Sequence, residues 1–350
     1  MRAARLYHYD PTLQEELKLE TVPDPEIRQP HEVIVRIVAA GLCRTDLHII
    51  EGVWRDILDP QGTLLPYTPG HENTGIVEAV GSAVTAVKAG DRVICHPLRS
   101  CGVCLACRAG EDMYCVNGRF PGLDSNGGFA EYLVTSERAL VKLPADVDLI
   151  EVAPLADAGL TAYRAAKRAA RIVPPDGWAV VIGIGGLGHV ALQALRALSA
   201  ARIVAADVSQ VALERAKELG ADYTLASGPD LVERVRELTG GGAHVVLDFV
   251  GERGVEQQGW QMLRKGGTHL IIGYGGQIEI PTVQMIFQEI AVTGSLVGNY
   301  RELTELMDLA ARGIVRVHVQ RYRLEEINRA IDDFKHGRYF GRAVITPDSA

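Results

Sequence analysis

The stretch Trp178-Ala179-Val180-Val181-Ile182-Gly183-Ile184-Gly185-Gly186-Leu187-Gly188 decides how the rest of the chain is read. Its first five residues form an apolar, β-branched run of strand length, and its last six carry glycines in the pattern G-x-G-G-x-G. An apolar helical stretch over 190–198 follows, and a second β run, Arg202-Ile203-Val204-Ala205-Ala206, ends on Asp207. A glycine fingerprint alone is weak evidence. Placed between a strand and a helix, with an acid about 20 residues further on, it is strong. The glycines let the backbone approach a pyrophosphate at a helix N-terminus, and Asp207 can accept hydrogen bonds from adenosine ribose hydroxyls. A carboxylate there repels a 2′-phosphate, and Val208, Ser209 and Gln210 offer no cation to offset it. The pattern predicts NAD rather than NADP.

Working outward, the alternation continues through a helix over 212–219, a strand over 245–250, a helix over 254–263 and a strand over 269–273. Strand and helix in alternation predict an α/β fold with a doubly wound parallel sheet. An alanine-rich helical segment, 153–170, precedes it, and residues before about 150 read as β-rich. The expected division is a β-rich domain of residues 1–150 rejoined by 298–350, with a coenzyme domain of 151–297 between them. The apolar run Val292-Thr293-Gly294-Ser295-Leu296-Val297, placed as an edge strand, would be a liability in a monomer.

The β-rich part carries the other chemistry. Gly41-Leu42-Cys43-Arg44-Thr45-Asp46-Leu47-His48 follows the strand-like run Val33-Ile34-Val35-Arg36-Ile37-Val38. Pro69-Gly70-His71-Glu72-Asn73-Thr74-Gly75 places an imidazole between glycines at a strand edge. Cys101, Cys104, Cys107 and Cys115, spaced C-x2-C-x2-C-x7-C, suit a tetrahedral zinc with sulfurs at about 2.3 Å. Four protein ligands leave no open position, so this lobe, 95–116, reads as a structural site. An iron–sulfur cluster is the alternative for such an opening, although nothing else in the chain suggests one-electron chemistry. Cys95 is read as a buried strand residue, and Asp157 as either a helix cap or something more specific.

Composition bounds the function. A chain of 350 residues predicts two domains, and a net charge of −8 gives no electrostatic footprint for nucleic acid or an anionic membrane. The first residues, Met1-Arg2-Ala3-Ala4-Arg5-Leu6, contain no apolar targeting core, and no run approaches a membrane span. A soluble, cytoplasmic protein is expected, with its six cysteines used for metal or catalysis rather than disulfides.

Taken in order, Gly41-Leu42-Cys43…Thr45-Asp46, Gly70-His71-Glu72, the four-cysteine lobe and Gly183-x-Gly185-Gly186-x-Gly188 resemble the zinc-dependent alcohol dehydrogenases of the medium-chain dehydrogenase/reductase superfamily. The segments Pro66-Tyr67, Ala153-Pro154-Leu155-Ala156-Asp157-Ala158-Gly159 and Gly294-Ser295-Leu296-Val297-Gly298-Asn299 are similar to the tetrameric, NAD-linked archaeal and bacterial branch. The resemblance implies a GroES-like catalytic domain, a Rossmann coenzyme domain and two zinc ions per chain, one catalytic and one structural. It makes Cys43 and His71 ligands of the catalytic zinc, with Asp157 standing where many relatives have a second cysteine. Thr45 becomes the hydroxyl that takes the substrate proton, and His48 the group that passes it to solvent. Asp46 and Glu72 become carboxylates behind the ligands. Arg44 and Arg342 are expected on the pyrophosphate, with Leu187 and Val250 among the coenzyme contacts.

The implied reaction is reversible hydride transfer between a small neutral alcohol and NAD, giving an aldehyde or ketone, in a homotetramer. A polyol or threonine dehydrogenase would use the same framework. A zinc-free quinone or enoyl reductase would lack the Cys43–His71 pair, and an idle coenzyme-binding protein would have no reason to keep ligands and relay together. His71 and Glu72, as neighbours on a strand edge, are expected to diverge, leaving Asp157 to complete the metal site. Trp54, Tyr67, His96 and Leu123 are the candidates for the substrate pocket.

Overall fold

The computed structural model describes residues 1–14 and 17–347. The chain divides into two compact units, Met1–Ala158 with Gly298–Ala350, and Gly159–Val297.

In the unit Gly159–Val297, six short strands form one parallel sheet. Their spatial order is Tyr223–Ala226, Arg202–Asp207, Trp178–Ile182, Ala243–Asp248, Leu263–Ile271 and Ala291–Gly294. This is the doubly wound order, with the first strand in the middle and the chain winding outward on both sides. The central strands are apolar because both faces are covered: Val180, Val181, Val204, Val245 and Val246 are all fully buried. Helix Gly188–Leu198 packs Val190, Leu192 and Leu195 into the same interior.

Two sequence expectations shift here. The strand expected over 269–273 begins at Leu263, because Gly266 takes a φ of +72° and lets the chain bulge without leaving the sheet. The run from Val292 does form the edge strand, beside Leu263–Ile271, yet pairing stops at Gly294. Val297 lies beyond it at a φ of 42°.

The other unit is built on strand Glu32–Leu42, which is flanked on both sides. Arg342–Thr346 pairs with its carboxyl end, Tyr132–Ser136 with its amino end, and Glu72–Val80 along most of its length. Val319–Arg323, Arg92–Cys95 and Leu140–Lys142 complete the sheet. Val33, Val35, Ile37 and Leu42 face a core that includes Leu47, Ile50 and Phe129. Register then does the positioning. Gly41 stands opposite Glu72, and Leu42 opposite Ala343, so Cys43, His71 and Arg342 arrive at one end of the same sheet. Among the described residues, no helix is long and apolar enough to cross a membrane.

Candidate metal centres and coenzyme cradle

Strand Glu32–Leu42 ends one residue before Cys43, whose extended backbone (φ −113°, ψ 159°) caps helix Arg44–Glu51. Asp46, at the third helical position, reaches back and accepts the Cys43 N–H at 2.8 Å through Oδ2. Its Oδ1 accepts the Gly70 N–H at 3.3 Å and meets His71 Nδ1 at 3.2 Å. Asp46 is 0% exposed. One buried carboxylate thus locks the cysteine backbone, the turn before the histidine, and the imidazole itself.

Fixing Nδ1 leaves Nε2 as the free end of the ring. His71 Nε2 lies 3.3 Å from Asp157 Oδ2, and both Nε2 and Asp157 Oδ1 are buried without a hydrogen bond among the described residues. Asp157 follows the turn Ala153–Ala156 and precedes helix Ala158–Ile172. Donor atoms of Cys43, His71, Glu72 and Asp157 all lie within 4.8 Å of one another. Burial disfavours an imidazolium here, but the Asp46 charge, Asp157 and Cys43 outweigh it and hold the His71 pKa well above the ordinary histidine value. A site that pulls a proton onto a fully buried imidazole is one that attracts a cation. A thiolate, an imidazole and a carboxylate are the donor set of zinc.

Glu72 departs from expectation. Its carboxylate joins the cluster instead of diverging, because His71 lies outside strand Glu72–Val80 and follows Gly70 at a φ of +98°, so strand alternation does not govern the pair. Glu72 Oε1 accepts the Ala158 N–H at 2.9 Å, and Oε2 takes Arg342 Nη2 at 2.5 Å. Burial raises the Glu72 pKa, with Arg342 opposing. Arg342 is only 3% exposed, and its Nη2 pairs with Glu72. Its strand pairs with Glu32–Leu42 at the metal-site end, which aims the guanidinium inward.

The four-cysteine lobe is equally explicit. Its Sγ atoms lie 3.4 Å apart for Cys104–Cys107, and 4.0 Å apart for Cys101–Cys107 and Cys104–Cys115. Four sulfurs at about 2.3 Å from one tetrahedral ion would be separated by about 3.8 Å. A disulfide needs about 2.05 Å, and a cluster would have to fit its own iron and sulfide atoms between the thiolates. The spacing suits a single ion. The N–H groups of Val103 and Cys104 pull the Cys101 thiol down to about 6, while burial pushes Cys107 up to about 12. An unmetallated lobe therefore shares its negative charge unevenly.

The relay candidates share helix Arg44–Glu51. Thr45 is half-buried. The His48 ring stacks on Trp54 at 6.1 Å between centroids and accepts Arg44 Nε at 3.1 Å on its own Nε2. Its Nδ1 lies 3.4 Å from Glu51 Oε2. Arg44, expected on the pyrophosphate, here rests on His48. Glu51 and the stacking of Trp54 escaped sequence reasoning, since an acid three residues along a helix carries no special signal. Trp54, Tyr67 and Leu123 line one cavity with Tyr9, Leu58 and Leu64. His96 lies elsewhere, its Nε2 3.0 Å from the Gly298 carbonyl.

In the other unit, Gly183 has a φ of +85°, and a Cβ on Gly188 would stand 1.8 Å from the Gly183 carbonyl. Gly185 has nothing within 4 Å of its would-be Cβ, so its backbone is open to a ligand. Gly186 and Leu187 complete the turn into helix Gly188–Leu198. Asp207 closes the second strand, and its Oδ2 accepts the Ile184 N–H at 2.7 Å while Oδ1 accepts the Ser209 N–H at 2.8 Å. The carboxylate braces the glycine turn and keeps lone pairs for a ribose. Val208 beside it is 84% exposed. Val250 faces Gly183 from the neighbouring loop. These residues fit a dinucleotide.

Comparison with known proteins gives the family. Residues 29–145 match the alcohol dehydrogenase GroES-like domain, and residues 186–312 match the zinc-binding dehydrogenase family. The chain is 37% identical to the NAD-dependent alcohol dehydrogenase of Sulfurisphaera tokodaii, over 99% of this chain and all of that protein. It is 36% identical to a D-arabinose 1-dehydrogenase (NADP(+)) of Saccharolobus solfataricus, over 95% of each. The crystal structure of the alcohol dehydrogenase from the archaeon Aeropyrum pernix superposes with a TM-score of 0.93 at 46% identity, covering 99% of this chain and all of that one. With two family domains matched in chain order and such identity sustained from end to end, the chain belongs to the zinc-dependent alcohol dehydrogenases of the medium-chain dehydrogenase/reductase superfamily.

Proposed function

We infer that this chain is a zinc-dependent, NAD-linked alcohol dehydrogenase that interconverts small neutral alcohols with their aldehydes or ketones. The observation that carries the reading is the convergence of Cys43, His71 and Asp157, with Glu72 beside them, in one buried cluster where His71 Nε2 and Asp157 Oδ1 have no hydrogen bond among the described residues. Those three residues hold the catalytic zinc, and Cys101, Cys104, Cys107 and Cys115 hold the structural one. When bound, zinc supplies Lewis acidity towards the substrate oxygen and NAD supplies the hydride acceptor.

The remaining work belongs to the chain. Asp46 fixes the His71 tautomer so that Nε2 is the ligating nitrogen. Glu72 and Arg342 neutralise one another behind the ligands. Thr45 accepts the proton of the substrate hydroxyl, and His48, held by Arg44, Trp54 and Glu51, passes it to solvent. Gly183, Gly185, Gly186, Leu187, Gly188, Asp207 and Val250 cradle NAD.

The preference for neutral substrates of low polarity rests on the apolar composition and acidic net charge of the chain, with Trp54, Tyr67 and Leu123 as the pocket candidates. The likeness to a D-arabinose dehydrogenase keeps sugar oxidation as the second reading. The edge strand Ala291–Gly294 and exposed Ile286 and Phe287 on helix Thr282–Gln288 support association with further copies rather than a free monomer, and the assembly proposed is a cytoplasmic homotetramer. NADH formation followed at 340 nm with primary, secondary and cyclic alcohols and with aldoses tests the function. The expected result is turnover with alcohols that a chelator abolishes; no turnover with any alcohol would refute it.

A further inference from the structure

The coenzyme reading employs the glycine turn and Asp207, and it leaves two titratable side chains at the centre of the unit Gly159–Val297 without a task. Asp248 and His269 are both 0% exposed, and His269 Nε2 lies 3.6 Å from Asp248 Oδ2. Asp248 Oδ2 and both His269 ring nitrogens make no hydrogen bond among the described residues. A buried carboxylate is unfavourable unless its position does something that an apolar residue could not.

That position is specific. Asp248 ends strand Ala243–Asp248 and stands in register with Ile182, the last residue of the strand that feeds Gly183. From these two neighbouring strands the sheet order runs outward in opposite directions, so their carboxyl ends bound the crevice where such a sheet takes its ligand. Asp248 Oδ1 accepts the N–H groups of Val250 and Gly251, each at 2.9 Å. Val250 Cγ2 lies 2.8 Å from where a Cβ on Gly183 would be, so this side chain covers the first glycine of the turn. Gly251, at a φ of +63°, approaches the Gly273 backbone so closely that a Cβ would meet it at 2.1 Å. Beneath the pair, the His269 ring fills the space against Gly259 of helix Val255–Gln261, where a Cβ would meet it at 2.3 Å.

We propose that Asp248 is a positioning residue for the coenzyme: its buried carboxylate fixes the Val250–Gly251 turn against Gly183, and His269 backs the carboxylate. The proposal rests on the reading of residues 183–188 as a dinucleotide cradle. A side chain that only filled the core could be replaced by any residue of its size without touching coenzyme affinity. One that fixes the turn should be replaceable by Asn, whose oxygen can accept the same two bonds, and not by Ala.

The test is NADH binding to the zinc-loaded enzyme, followed by NADH fluorescence, for the wild type, Asp248→Asn and Asp248→Ala. Alcohol KM and kcat are measured at saturating NAD alongside. Failure of the wild type to bind NADH would remove the cradle reading itself, before any variant is considered. Given wild-type binding, Asp248→Ala should raise the NADH Kd and the NAD KM about tenfold, with alcohol KM and kcat within about twofold. Asp248→Asn should stay within about threefold of the wild-type Kd. If the Ala variant does not fold, Asp248→Ser takes its place, since its hydroxyl sits one atom nearer the backbone and cannot span both amides. A wild-type Kd in Asp248→Ala or Asp248→Ser, or an Asn variant as weak as either, would overturn the proposal.

Discussion

Asp46→Asn isolates the carboxylate that organises the catalytic zinc site. Asp46 uses both oxygens, Oδ2 for the Cys43 N–H at 2.8 Å and Oδ1 for the Gly70 N–H at 3.3 Å, so an Asn that keeps its one oxygen on Cys43 turns its amide nitrogen towards Gly70 and His71. What it cannot keep is the charge-assisted contact with His71 Nδ1 at 3.2 Å if its amide nitrogen takes that place, because two N–H groups would then face each other. A hydrogen bond to a charged group contributes about 1.5–3 kcal/mol, and each 1.4 kcal/mol is about tenfold in affinity. Asp46 is 0% exposed, so no water is at hand to compensate. The expected loss of affinity at the catalytic zinc is therefore about 10- to 100-fold, the range typical of groups that orient a ligating histidine. Competition against a calibrated chelator measures it, with the four-cysteine zinc as internal reference. Unchanged affinity at the catalytic site would refute the claim that Asp46 sets the histidine.

Other outcomes follow from the same structure. Asp207→Gly should improve the relative use of NADP over NAD, read from the ratio of kcat/KM values; a wild type that already uses both equally contradicts the role given to Asp207. Thr45→Ala should cut turnover severely with little change in NADH Kd, and His48→Gln should be milder because water can replace a terminal proton carrier; a fully active Thr45→Ala would remove the relay. Light scattering should give a mass of four chains, through pairing that includes the edge strand Ala291–Gly294, and a mass of one chain would rule that out.

Much of this architecture was legible because its signals are local. The run from Trp178 to Gly188 states its strand, turn and helix in eleven consecutive residues, and the cysteine spacing states a tetrahedral site within fifteen. Cys43 and His71 could be paired only through likeness to a family, since the register that joins them, Gly41 opposite Glu72, is written in no single segment. Glu72 does not diverge from His71 as strand alternation predicts, because the strand begins only at Glu72. The Arg342–Glu72 pair carries no sequence signal, because the two residues lie on different strands 270 residues apart. Asp248 and His269 gave no sequence signal, because a buried acid at a strand end looks like any turn residue until its amide partners are visible.

On the proposed reading, Asp157 completes the catalytic zinc site with Cys43 and His71. Metal analysis of the purified Asp157→Ala enzyme tests it, since with Glu72 committed to Ala158 and Arg342 the variant leaves only Cys43 and His71 where a catalytic site expects three ligands. The wild type should hold two zinc ions per chain. The variant should retain about one, in the four-cysteine lobe, bind NADH as before and lose turnover. Two zinc ions still bound, with full activity, would reduce Asp157 to a helix cap and contradict the account.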